Sequence, residues 1–165
     1  MYRSTRENRY FIRVREILQR SPNAVASLRG SDRYPDLFGT VLFYQTERGV
    51  LVATELQGLP TGEEACAHPV FGFHIHEGGS CTGDAFLNAG EHYNPEHCPH
   101  PYHAGDLPPI FGNHGNALSM FLNDRFSVRE IIGKTVILHA SPDDLHTQPS
   151  GNSGERIACG EIRAT

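Results

Sequence analysis

The sequence predicts an all-β fold, an antiparallel sandwich or Greek-key barrel interrupted by two long loops. Short stretches rich in β-branched and aromatic residues recur along the chain. Turn clusters such as Gly30-Ser31-Asp32 and Glu47-Arg48-Gly49 separate them. Glycine (17) and proline (11) are plentiful among 165 residues, which favours many turns between short strands over long helices. A chain of this length is expected to form one domain with a real core.

The first element is the exception. Ser4-Thr5-Arg6-Glu7 has capping-box spacing, and Phe11, Val14, Ile17 and Leu18 recur at helical intervals between arginines, so a short amphipathic helix is expected until Ser21-Pro22-Asn23 stops it. Its apolar stripe is read as lying on the barrel. Residues 1–22 are therefore expected to be a helical extension and residues 23–165 the domain proper.

Strands are then expected over Ala24 to Arg29, Gly39 to Gln45 and Val50 to Leu56. Leu59-Pro60-Thr61-Gly62 makes a turn, and Val70 to Glu77 a further strand. Asn116 to Leu122, Lys134 to His139 and Ile157 to Arg163 complete the set. Gly78 to about Asp106 and Ala140 to Glu155 break the strand rhythm. Loops of that length in a compact domain are usually functional.

Charge narrows the partners. The formal net charge is −5, yet residues 1–20 hold six arginines against Glu7 and Glu16, so the remainder carries −9. An acidic body argues against a nucleic-acid surface. It also repels small anions at long range, so an anionic substrate needs a local cationic guide. No run approaches about 18 consecutive apolar residues, so no membrane span is read. The first residues lack the apolar core of a secretory signal, and the chain reads as cytoplasmic, with export by a trimmed or non-standard signal left open.

Histidine is the unusual residue. Six of the ten lie between His74 and His103. In a strand, residues two apart share a face, so His74 and His76 project together while Phe73 and Ile75 face a core. His92, His97, His100 and His103 crowd one loop, Asp106 follows His103 by three, and His139 ends a strand of clean β character. Imidazole nitrogens with one carboxylate suit copper or zinc, and one or two divalent ions are expected.

Three segments then make the reading specific: Gly72-Phe73-His74-Ile75-His76-Glu77, Gly90-Glu91-His92-Tyr93-Asn94-Pro95 and His103-Ala104-Gly105-Asp106-Leu107. Together with the tail Gly154-Glu155-Arg156-Ile157-Ala158-Cys159-Gly160, they resemble the copper/zinc superoxide dismutase family over Ala24 to Ile162. The resemblance implies an eight-stranded antiparallel Greek-key barrel, an immunoglobulin-like sandwich. It assigns copper to His74, His76, His92 and His139, and zinc to His92, His100, His103 and Asp106, with His92 bridging the two. It further implies dismutation of superoxide to dioxygen and hydrogen peroxide, with Arg156 drawing in the anion beside copper. Asp143 is expected to link His74 and His100 behind the ligands. Cys81 and Cys159 are expected to form the family's disulfide, and a homodimer is the expected assembly.

The sequence also departs from many members. Only two residues separate His100 from His103, so the zinc loop is shortened. His100 is preferred to His97 as the zinc ligand by spacing, with Cys98 as an alternative donor. Cys66 and Cys98 have no counterpart in the basic pattern, and a second disulfide between them would pin that loop. The loop from Ala140 to Glu155 has no lysine. His68, His114 and His146 are read as surface residues. Two rival functions remain: a non-catalytic copper chaperone or buffer on the same fold, and a zinc hydrolase, which needs a general base that only Glu77 offers.

Overall fold

The computed structural model describes residues 13–62 and 69–165. The expected cap at Ser4, together with Cys66 and His68, lies outside the described residues. In chain order the elements are α1 (Val14–Leu18), β1 (Ala24–Gly30), β2 (Phe38–Thr46), β3 (Gly49–Gln57), β4 (Val70–Phe71) and β5 (Phe73–His76). They continue with β6 (Ile110–Phe111), β7 (Asn116–Asn123), α2 (Val128–Ile131), β8 (Thr135–His139) and β9 (Arg156–Ala164).

Seven strands form one antiparallel sheet in the order β5-β8-β9-β1-β2-β3-β7, and β4 pairs with β6 separately. The non-consecutive neighbours are those of a Greek-key barrel. The strand expected over Val70 to Glu77 is split at Gly72. There the backbone N–H donates to the Ser141 carbonyl and the carbonyl accepts from His139 N–H, both at 2.8 Å. That residue is thus held irregularly, between the end of β8 and the loop that follows it. β4 runs into β5 through it while β6 packs beside β7, so the small pair spans the space between the two sheet edges.

Alternation on the strands fills the barrel. Ala24, Ala26 and Leu28 of β1 and Val41 and Phe43 of β2 face inward with Val50, Val52 and Leu56 of β3, all buried. Phe73, Ile75, Val136, Leu138 and Ile157 join them from the other half. On the outside, α1 lays Ile17 and Val14 against Tyr44, Leu51 and Ala53. The α2 helix was not expected from hydrophobic pattern. Its signal was Ser127-Val128-Arg129-Glu130, whose end residues form a reciprocal capping box in the structure.

Candidate metal centre

β5 lies at one edge of the sheet. It is only four residues long, and its free edge is taken up by the long loop rather than by a strand. Tyr93 N–H donates to the Ile75 carbonyl (2.8 Å), and Ile75 N–H donates to the Gly105 carbonyl (2.9 Å). His76 and His92 face each other as an isolated antiparallel bridge, as do His74 and Asp106. A side chain at Gly105 would strike the Ile75 carbonyl, so this close approach of backbone to backbone requires glycine.

His74 and His76 were expected outside the core, with Phe73 and Ile75 inside. All four are buried, because the loop roofs the face from which the histidines project. β8 pairs antiparallel with β5, setting His74 opposite Ile137. Its register against β9 shifts between Leu138 and His139, leaving His139 paired with Arg156. The His139 ring stacks on that of His76, their centroids 5.5 Å apart.

Two groups of donors result. His74, His76, His92 and His139 each offer a ring nitrogen, all within 4.8 Å of one another, and ring nitrogens of His92, His100 and His103 with a carboxylate oxygen of Asp106 form a second set within the same distance. Every member is buried, and His92 belongs to both. His97 is exposed, as are His114 and His146. His97 and Cys98 belong to neither group.

The hydrogen bonds around each ring fix which nitrogen is free. His76 Nδ1–H donates to the Gly90 carbonyl (2.8 Å) and His139 Nδ1–H to the Gly154 carbonyl (3.2 Å). Both Nε2 atoms must then be bare lone pairs, and they face each other at 3.3 Å. Two acceptors so placed repel unless a cation lies between them. His74 Nε2 donates to Asp143 Oδ2 (2.8 Å) and His100 Nε2 to Asp143 Oδ1 (2.9 Å). The Nδ1 atoms of His74, His100 and His103 and Nε2 of His92 are buried without a hydrogen-bond partner. His100 Nδ1 lies 3.0 Å from Asp106 Oδ2 but is not aligned for a hydrogen bond. Orphaned buried nitrogens that converge in this way fit metal ions, the four-nitrogen set copper and the three-nitrogen, one-carboxylate set zinc.

Burial also disfavours the protonated forms of His74, His76, His103 and His139. It lowers His74 to about 4 against the opposing pull of Asp143. It lowers His139 to about 3, with the charges of His74, His92 and Arg156 adding to it. His76 lies well below its ordinary value for the same reason, and His103 is lowered less. Burial alone would raise Asp106 and Asp143. Their hydrogen bonds from His92, and from His74, Leu145 N–H and His100, outweigh it and hold both carboxylates below the usual range. Neutral imidazoles and ionised carboxylates are the forms that ligate.

Around the ligands, Arg156 donates from Nη1 to the Phe86 carbonyl (3.0 Å) and from Nη2 to the Gly90 carbonyl (2.7 Å). The Cys81–Cys159 disulfide ties this loop to β9. Cys98 carries a free thiol, and its expected partner Cys66 is outside the described residues. Sequence reading missed Gln148. Its amide accepts from His100 N–H (2.9 Å) and donates to the His100 carbonyl (2.7 Å), clamping that backbone from the second loop. It also missed Arg125, whose guanidinium reaches the loop carrying His103. No spacing rule marks either residue.

A β-barrel with two histidine-rich ligand sets sharing one imidazole defines a binuclear copper- and zinc-binding protein. The sequence profile of the family described as copper/zinc superoxide dismutase (SODC) matches residues 37–162. The chain is 34% identical over 143 residues to superoxide dismutase (Cu-Zn) 2 of Aquifex aeolicus, covering 78% of this chain and 80% of that one. It is 36% identical over 155 residues to superoxide dismutase (Cu-Zn) A of Xenopus laevis, covering 84% and 95%. It is also 34% identical over 143 residues to the extracellular superoxide dismutase (Cu-Zn) of Caenorhabditis elegans, covering 77% and 61%. The chain belongs to the copper/zinc superoxide dismutase family. Among the described residues, no helix is long and apolar enough to cross a membrane.

Proposed function

We propose that this chain converts superoxide to dioxygen and hydrogen peroxide at copper held by His74, His76, His92 and His139, beside zinc held by His92, His100, His103 and Asp106. The observation that carries the reading is His92. Its Nδ1 lies 2.8 Å from Asp106 Oδ1, and its Nε2 is buried without a partner on the four-histidine side. Bound copper supplies the one-electron chemistry by alternating between its cupric and cuprous states. Two superoxide ions and two protons then give one dioxygen and one hydrogen peroxide.

The chain's own residues do the rest. Arg156 is held by two carbonyls on the disulfide-tethered loop, and its charge lies near enough to His76 and His139 to lower their basicity. An anion drawn to that guanidinium therefore arrives beside the four-histidine group. His92 is placed to hold a proton at Nε2 while Nδ1 stays on the zinc side. Asp143 fixes the tautomers of His74 and His100 from behind. All these residues fall within 23–165, which we read as the domain, with 1–22 as its helical extension. His139→Ala removes one copper nitrogen. It should abolish dismutation and copper retention while zinc stays bound, and surviving activity would remove the copper assignment.

A further inference from the structure

Three of the four zinc-side ligands, His100, His103 and Asp106, come from one short stretch of loop. Their side chains converge only if the backbone between them is held. Pro99 and Pro101 flank His100, and Gln148 clamps its backbone groups, but Gln148 makes no such bond to His103 or Asp106. Gly105 is paired with Ile75 and Tyr93, and His103 N–H donates to the Asp106 carboxylate. The side chain that reaches carbonyls along the stretch from outside it is Arg125, from the turn that follows β7.

Arg125 Nη1 reaches the carbonyl oxygens of Pro101 (3.0 Å), His103 (3.2 Å) and Asp106 (3.4 Å). Two of these carbonyls belong to ligand residues, and the third belongs to the residue directly after a ligand. The Arg125 backbone is itself anchored, its N–H donating to the side-chain oxygen of buried Asn123 at 2.6 Å. The contacts of its guanidinium that define its place are these three backbone carbonyls. One cationic donor gathering three carbonyls fixes the distances between the points from which all three side chains spring.

We propose that Arg125 is a positioning residue for the zinc half of the centre, holding the shortened loop in the shape in which His100, His103 and Asp106 meet one ion. The proposal rests on the zinc assignment of those three residues. Arg125 touches none of the residues that only the four-histidine group uses, so its effect should be selective for one metal.

The test uses the full chain with Arg125→Gln, which removes the charge, and Arg125→Lys, which keeps a cation with three donors. Zinc affinity is read by competition with a chromophoric chelator, copper affinity likewise, and melting is followed on the metal-free proteins. Cobalt(II) absorption reports the geometry of the zinc set. Losing an outer-shell contact of this kind weakens metal binding by roughly tenfold or more. Arg125→Gln should show that loss for zinc with a changed cobalt spectrum and unchanged copper affinity, and Arg125→Lys should recover much of it. Zinc affinity equal to wild type in Arg125→Gln would overturn the proposal. So would equal losses at both metals with a lower melting temperature of the metal-free chain. Wild-type protein that takes no zinc would instead sink the ligand assignment beneath it.

Discussion

Replacing Asp143 by Asn tests how this site chooses its metal-facing nitrogens. Asp143 Oδ2 accepts from His74 Nε2 at 2.8 Å, while Oδ1 accepts from His100 Nε2 at 2.9 Å and from Leu145 N–H at 2.7 Å. With both rings protonated at Nε2, each presents a bare Nδ1 inward, and neither Nδ1 has another partner. Asparagine is nearly the same shape but offers one oxygen and one NH2. One ring must then lose its acceptor or move its proton onto Nδ1, the atom we propose for the metal. A hydrogen bond to a charged acceptor is worth about 1.5–3 kcal/mol. That corresponds to roughly a tenfold to hundredfold loss of affinity on at least one side of the centre, the range seen for outer-shell partners of metal ligands. The assay is chelator competition for zinc and copper, with nitrogen NMR of the metal-free rings to read the tautomers. Affinities and tautomers identical to wild type would refute the reasoning.

Three further outcomes follow from the same geometry. In the metal-free chain, His74 and His139 are lowered to about 4 and about 3, so the unfolded state binds more protons below pH 6.5 and stability falls as pH drops. The cost at pH 5 is roughly 2 kcal/mol for each ring, and denaturant curves that coincide at pH 7.5 and pH 5 would contradict it. Replacing Cys81 and Cys159 by serine opens a loop of sequence separation 78, and should lower unfolding free energy by about 4.5 kcal/mol on the chain-entropy model, read from urea midpoints; an unchanged midpoint would count against it. Gly151 has φ +65°, and a Cβ there would strike Asp143 Oδ1 and lie 2.7 Å from His100 Nε2. Gly151→Ala should therefore weaken zinc as Asp143→Asn does, and in the double variant the two losses should fall short of adding, whereas full additivity would place Gly151 outside this link.

Much of this molecule is legible in its sequence because its signals are local. Alternation over Gly39 to Gln45 and Val50 to Leu56 finds β2 and β3 to within a residue at each end. Two-residue spacing puts His74 and His76 on one face whatever the rest of the chain does. What failed depends on contacts far apart in sequence. The break at Gly72 exists because Ser141 and His139 take its backbone groups. The burial of His74 and His76 depends on the Gly90 to Leu107 loop closing over β5. His97 and His100 look alike as letters, yet only His100 is drawn inward, by Asp143 and Gln148 from more than 40 positions away. Arg125 is equally silent, since its partners are carbonyls, which every residue has.

The central claim is that two adjoining metals share His92 and that copper at the four-histidine set dismutates superoxide. The most direct test is metal content of the purified full chain measured alongside superoxide dismutation. One copper and one zinc per chain are expected, with activity that follows copper occupancy. Zinc without copper, and no dismutation after copper loading, would contradict it.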